Sequence, residues 1–193
     1  MESSVTTKKG DSGQTRALDG AAYGKDHVLM EAVGALDALR AQTALLRVQL
    51  QEQQPEALEE IGFLLYVLHS YFLIGSAISD PHNQKMEWRR GQLNPGHLQR
   101  LEAEQARLEA ALRLPRAFIV CAVNALAAQA DITAATTRTF ERRLVAFAKA
   151  MPDFDAATML AYVNRLSDFF FILARHLENG RHQPVNYELL DGA

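Results

Sequence analysis

Long stretches of helically spaced apolar residues alternate along the chain with short polar breaks. From about Lys25, the positions Val28, Met30, Val33, Leu36, Leu39, Ala41, Leu46, Val48 and Leu50 recur at roughly helical intervals. Pro55 is expected in the first turn of a second helix, where its missing N–H costs little, and that helix runs to about Ser79. Its segment "IGFLLYVLHSYFLIGSAIS" is apolar on most faces, which predicts a helix at the centre of a bundle, with His69 a satisfied core residue. The connection "DPHNQKMEWRRGQLNPG" is polar, with Pro or Gly near both ends. A third helix, "HLQRLEAEQARLEAALR", has Leu98, Leu101, Leu108 and Leu112 as its stripe and is stopped by Pro115. Two more helices follow, over about 124–151 and 153–178. Asp153 is expected to cap the second of them, and Asn179-Gly180 to end it. No segment alternates like a strand, and there is no internal repeat. The pattern predicts an all-α protein: a five-helix bundle over residues 25–180 with ferritin-like up-down character, an N-terminal arm over 1–24 and a tail over 181–193.

Composition narrows the setting. The 193 residues carry a net charge of -3 and are 48% hydrophobic, which suits one globular domain and gives no general nucleic-acid footprint. No uninterrupted apolar run reaches about 18 residues, so no membrane span is expected. The polar N-terminus has no signal-peptide core, and one cysteine, Cys121, allows no internal disulfide. The expected compartment is the cytoplasm. The six histidines have no i, i+4 pair, so no protein-built metal site is expected.

Three places hold candidate chemistry. The arm "TTKKGDSGQTRAL" has Lys8 and Lys9 for charge, Gly10 and Gly13 for turning, and hydroxyls at Thr7, Ser12 and Thr15. Such a turn can cradle phosphate with its backbone N–H groups, although the residues equally suit a disordered tail. It lacks the Gly-Lys-Ser/Thr order of a Walker loop. In "AYVNRLSDFFFILAR", Tyr162, Leu166, Phe169, Leu173 and Leu177 form an apolar face, with Asn164, Arg165 and Asp168 beside it. In "RTFERR", Arg138, Glu141 and Arg142 share a face, and arginine's fork suits phosphate. An ordinary solvated, salt-bridged face explains either of these helical sets as well.

Taken in order, the segments resemble the PduO-type ATP:cob(I)alamin adenosyltransferases from Thr7 to about Arg175. The arm matches T-[KR]-x-G-D-x-G-x-T over Thr7 to Thr15. "KDHVLMEAVGALDALR" matches most of the family's K-D-x-x-x-x-E-A-x-G-x-x-D-E-L-N, and "YVNRLSD" is its C-terminal signature. The resemblance implies a homotrimeric five-helix bundle that binds ATP at the subunit interface under the arm. With Mg²⁺, it would transfer the 5′-deoxyadenosyl group to cob(I)alamin. By position, Thr7, Lys8, Gly10, Asp11, Gly13, Thr15 and Lys25 would contact ATP. Arg138, Glu141 and Asn164 would complete the nucleotide site, with Arg138 and Asn164 catalytic. Phe118 would close the lower face of the corrin, and Asp37 would lie near the corrin and the interface.

The middle of the chain departs from the family. F-[IL]-L-P-G-G becomes Phe118-Ile119-Val120-Cys121-Ala122-Val123, the arginine that pairs with Asp37 becomes Ala134, and a histidine position holds Asp131. Arg40 is expected to pair with Asp37 instead. Two alternatives stay open beside the enzyme: a non-catalytic binder of ATP or cobalamin, and a purely structural bundle.

Overall fold

The computed structural model describes Lys8 and residues 10–191. Five long helices make the body: α1 (Val28–Gln53), α2 (Leu58–Ile78), α3 (Pro95–Ala110), α4 (Ala125–Ala150) and α5 (Ala157–Leu177). A short helix, α6 (Glu188–Asp191), lies in the tail. Two small antiparallel pairs complete the fold: β1 (Gln14–Arg16) with β2 (Ala22–Gly24), and β3 (Ile119–Val120) with β4 (Gln183–Pro184). These strands have two or three residues each, too few for alternation to show in the sequence.

Neighbouring helices run antiparallel, as their side-chain ties show. Glu31 meets Arg143 and Gln42 meets Gln129 between α1 and α4; Glu141 meets Asn164 and Asp131 meets Arg175 between α4 and α5. The core between them is aliphatic and aromatic, with Leu29, Leu39, Leu46, Leu64, Phe140, Phe147, Phe169 and Phe170 fully enclosed. Two buried hydroxyl pairs cross it: Thr43 with Tyr71 at 3.0 Å and Ser70 with Tyr162 at 2.9 Å. Each satisfies groups that would be costly to bury alone, and burial holds both tyrosines above their ordinary pKa.

Caps explain where the helices start. Asn94 and His97 form a capping box at α3, with Pro95 in its first turn. Asn124 Oδ1 accepts from Ala127 N at α4, and His27 Nδ1 accepts from Leu29 N at α1. After α5, Asn179 (φ 50°) and Gly180 (φ 74°) turn left-handed, the stop that the sequence predicts.

Four expectations need correction. Pro55 lies in the turn before α2, not inside it. Asp153 does not cap α5: the cap position is Ala156, and Asp155 Oδ1 accepts from Ala157 N at 3.1 Å. His69 is exposed, with Nδ1 2.7 Å from its own helix's Leu65 carbonyl oxygen.

The fourth concerns α2. It is long and apolar enough to cross a membrane by length and composition, a property missed by counting uninterrupted apolar runs. It packs into the bundle through Phe63, Leu64, Val67, Tyr71 and Ile74, yet cover is not complete on every face, and it is α4 that packs between α1 and α5. Leu58, Leu65 and Phe72, seven residues apart, form an outward stripe, and Phe72 is 62% exposed. Periodicity reports that a face wants cover, not whether the cover comes from the same chain.

Candidate active site

From Gly10 onward the arm is a folded loop. Asp11 N donates to the Lys8 carbonyl at 3.3 Å and Gly13 N to the Gly10 carbonyl at 3.2 Å. Gly13 has φ 81°, which a side chain would strain. The chain then enters β1, turns through Asp19-Gly20 and returns along β2, with Thr15 opposite Tyr23. That return brings Lys25 beneath the loop: Lys25 N donates to the Gly13 carbonyl at 2.9 Å, and its Nζ lies 3.3 Å from where a Cβ on Gly10 would sit. Gly10, Gly13 and Lys25 are therefore together, with Lys8 and Asp11 exposed on the same loop. Thr7 lies outside the described residues.

Sequence reasoning missed how this loop is anchored. Asp19 N donates to the Ser79 carbonyl at the end of α2. Asp19 Oδ2 accepts from the Tyr23 hydroxyl at 2.6 Å, and that bond, with burial, pushes the Tyr23 pKa up to about 12. The Asp-Gly dipeptide between short runs was a readable hairpin signal.

The second cluster spans α4 and α5. Asn164 Nδ2 donates to Glu141 Oε1 at 3.1 Å. Arg138 lies one turn before Glu141, exposed, and hydrogen-bonds to no partner among the described residues. The nearby charges are occupied. Arg142 donates to Thr139 Oγ1, Arg143 pairs with Glu31, and Arg165 pairs with both Glu102 and Asp168. Of the trio on α5, only Asn164 is left to work with α4. The Arg143–Glu31 pair joins the N-terminal turn of α1 to the C-terminal half of α4, so the arm and this cluster lie in the same half of the bundle.

Phe118 and Asp37 lie elsewhere. Phe118 precedes β3 at the other end, and its ring is 79% exposed. From the start of α4, Glu141 is about 24 Å further along at the α-helical rise. Asp37 faces outward on α1 and pairs with Arg40 at 3.0 Å, as expected from the loss of its arginine partner, while Ala134 is buried. Arg40 also sits over the Phe72 ring at 5.4 Å, on the rim of a shallow apolar groove of about 420 Å³ between α1 and α2. One chain thus holds two separate candidate half-sites, the polar residues of the arm and of α4–α5 in one and exposed apolar surface in the other. Among the described residues, no cluster of three His, Cys, Asp or Glu side chains could hold a metal ion.

A family model described as cobalamin adenosyltransferase matches residues 5–177. A cobalamin adenosyltransferase of Cupriavidus metallidurans is 32% identical over 91% of this chain and 88% of its own. A corrinoid adenosyltransferase of Bacillus subtilis is 32% identical over 88% of this chain and 83% of its own. Among solved structures, a variant PduO-type ATP:corrinoid adenosyltransferase from Lactobacillus reuteri, complexed with cobalamin and ATP, superposes with a TM-score of 0.81. It has 22% identity and covers 95% of this chain and 96% of its own, a likeness of fold. With the arm, the Glu141–Asn164 pair and the matched span accounted for together, the chain belongs to the cobalamin adenosyltransferase family.

Proposed function

We infer that the protein transfers the 5′-deoxyadenosyl group of ATP to cob(I)alamin, giving adenosylcobalamin and triphosphate. The observation that carries this reading is Arg138, exposed and without a hydrogen-bond partner among the described residues, beside the Glu141–Asn164 pair in the half of the bundle that carries the glycine-rich arm. In the reaction, the cobalt electron pair forms the bond to the 5′ carbon, and the carbon–oxygen bond breaks toward triphosphate. Negative charge builds on the leaving phosphates. Arg138 supplies a bidentate donor for it, with Lys8, Lys25 and the loop N–H groups adding positive potential. Glu141 orients Asn164 by accepting its N–H, which leaves the Asn164 carbonyl oxygen to accept from the nucleotide. Thr7, Gly10, Asp11, Gly13 and Thr15 line the ATP loop in this reading. Phe118 closes the lower face of the corrin and Asp37 flanks it. Among the described residues no cluster of His, Cys, Asp or Glu could cage a metal ion, so Mg²⁺ would arrive held by the ATP phosphates.

The working form in this proposal is a homotrimer in the cytoplasm. The exposed stripe of Leu58, Leu65 and Phe72 on α2 supports association. The separation of the two half-sites within one chain supports a site completed between subunits. One observation favours a non-catalytic ATP or cobalamin binder: Asp37 is neutralised within its own helix by Arg40. An anaerobic assay with Mg-ATP and chemically reduced cobalamin separates the two. Loss of the Co(I) absorption, with adenosylcobalamin and triphosphate formed, supports the enzyme. ATP binding without product supports the binder.

A further inference from the structure

The family match ends at residue 177, yet the chain beyond it is built into the fold. After the left-handed turn at Asn179 and Gly180, the chain doubles back and His182 is enclosed, its side chain 4% exposed. His182 Nδ1 lies 2.6 Å from Glu178 Oε2. Glu178 Oε1 lies 3.1 Å from Arg175, which donates to Asp131 of α4 at 2.7 Å. From this latch, β4 pairs antiparallel with β3, Pro184 opposite Ile119 and Gln183 opposite Val120. Val185 N then donates to the carbonyl of Phe118 itself at 2.8 Å. The pairing of residues 183–185 thus falls on Phe118 and the two residues after it.

The other end of the same loop is also held. Asn124 caps α4 with its oxygen and donates with its nitrogen to the Leu177 carbonyl at 2.9 Å. Between the two clamps, Ala122 has φ 55°. For a residue with a Cβ, that left-handed conformation is unfavourable and persists only where the surroundings over-determine it. The loop has lost the Pro-Gly-Gly of its family resemblance and is held in shape from outside. Its most prominent side chain meanwhile points into solvent. A clamped backbone carrying an exposed aromatic ring is organised to meet a flat apolar surface, not to fill a core.

We propose that residues 178–185 are a strap that holds Phe118 at the height and angle where it closes the lower face of the corrin, with Glu178 and His182 as positioning residues. The proposal rests on the reading of the protein as a cob(I)alamin adenosyltransferase. Without the strap, Phe118 is free to swing, and the ring no longer excludes the axial ligand of the cobalt. ATP binding, in the far half of the bundle, is untouched.

The test uses the full chain and Val185→Pro, which removes the N–H that reaches Phe118. A chain ended after Arg181 and the Phe118→Ala variant are compared with it. Three readouts are taken: amide hydrogen exchange over residues 118–123 in the ligand-free protein, the visible spectrum of cob(II)alamin with ATP, and kcat with KM for ATP. Val185→Pro is expected to lower exchange protection about tenfold, the worth of one hydrogen bond. It should also reduce the fraction of cob(II)alamin freed of its axial ligand and lower kcat, with KM for ATP unchanged. Combined with Phe118→Ala, it should add nothing. Lost protection with the spectrum and kcat of the intact chain would overturn the strap's role, as would an effect that multiplies with Phe118→Ala. An intact chain that neither frees the axial ligand nor turns over would overturn the adenosyl-transfer reading and the strap with it.

Discussion

Gly10 and Lys25 offer a sharp test of the arm as a phosphate loop. In Gly10→Ala, the new Cβ would stand 3.3 Å from Lys25 Nζ and 3.4 Å from its Cε, closer than ordinary van der Waals contact. The backbone of Gly10 is not left-handed, so alanine is not strained there. The clash is with the end of a flexible side chain, which gives way by a few tenths of an ångström. Stability should therefore change by less than about 0.5 kcal/mol. The ammonium, however, is pushed from its place beneath the loop. A charge-assisted hydrogen bond is worth about 1.5–3 kcal/mol, so Lys25→Ala should weaken Mg-ATP about 10- to 150-fold, and Gly10→Ala by part of that. Titration calorimetry with Mg-ATP, beside thermal melts, measures both. The double variant should bind like Lys25→Ala, because Gly10→Ala acts only by moving that ammonium. If Gly10→Ala weakens ATP equally with and without Lys25, the ammonium is not what the loop positions. Gly13→Ala gives a contrast: there is open space for its Cβ, but φ 81° strains any side chain, so loop order suffers without a clash.

Other consequences are as direct. Asn164→Ala should leave the melting temperature nearly unchanged, since the side chain is exposed, while lowering kcat about 10- to 150-fold, the worth of one hydrogen bond to a charged group; an unchanged kcat would remove Asn164 from the site. Arg175→Met should destabilise by about 3–5 kcal/mol in urea unfolding, because it strands the Asp131 and Glu178 carboxylates. Asp131→Asn should cost under about 1.5 kcal/mol, since burial already outweighs Arg175 and raises the Asp131 pKa, and Arg175 keeps Glu178. Burial also pushes the Glu60 carboxyl up, but the hydrogen bond from Arg107, with its charge and that of His176, outweighs it and leaves the pKa below 4.5. A depressed carboxylate stabilises the fold above its unfolded value and loses that stabilisation as pH falls through the folded value. The difference in melting temperature between the intact chain and Glu60→Gln should therefore shrink as pH drops below 4.5; a constant difference would refute the pairing.

Much of the molecule was legible in the chain. The five long helices follow from apolar spacing because each must bury one stripe. The stop after α5 follows from Asn179-Gly180, and the Asp37–Arg40 pair from the three-residue spacing that puts both side chains on one face of α1. The arm, Arg138, Glu141 and Asn164 were named from motif order. What spacing could not supply was which polar groups would be spent on structure. Arg165 and Asp168 matched the site pattern as well as Asn164 did, and only the packing of α3 against α5 assigns Arg165 to Glu102 and leaves Asn164 for Glu141.

The chain by itself determined its helices, its loop chemistry and its family, because those depend on residues near one another in sequence and on their order. Tertiary structure alone decided that α2 turns an apolar stripe outward, that Lys25 lies beneath Gly10, and that the tail returns to hold Phe118. The physical reason is the same in each case. Short strands, buried ion clusters and helix exposure depend on which surfaces meet, and residues such as Asp131 and Arg175, 44 positions apart, show no mark of that meeting in their local pattern.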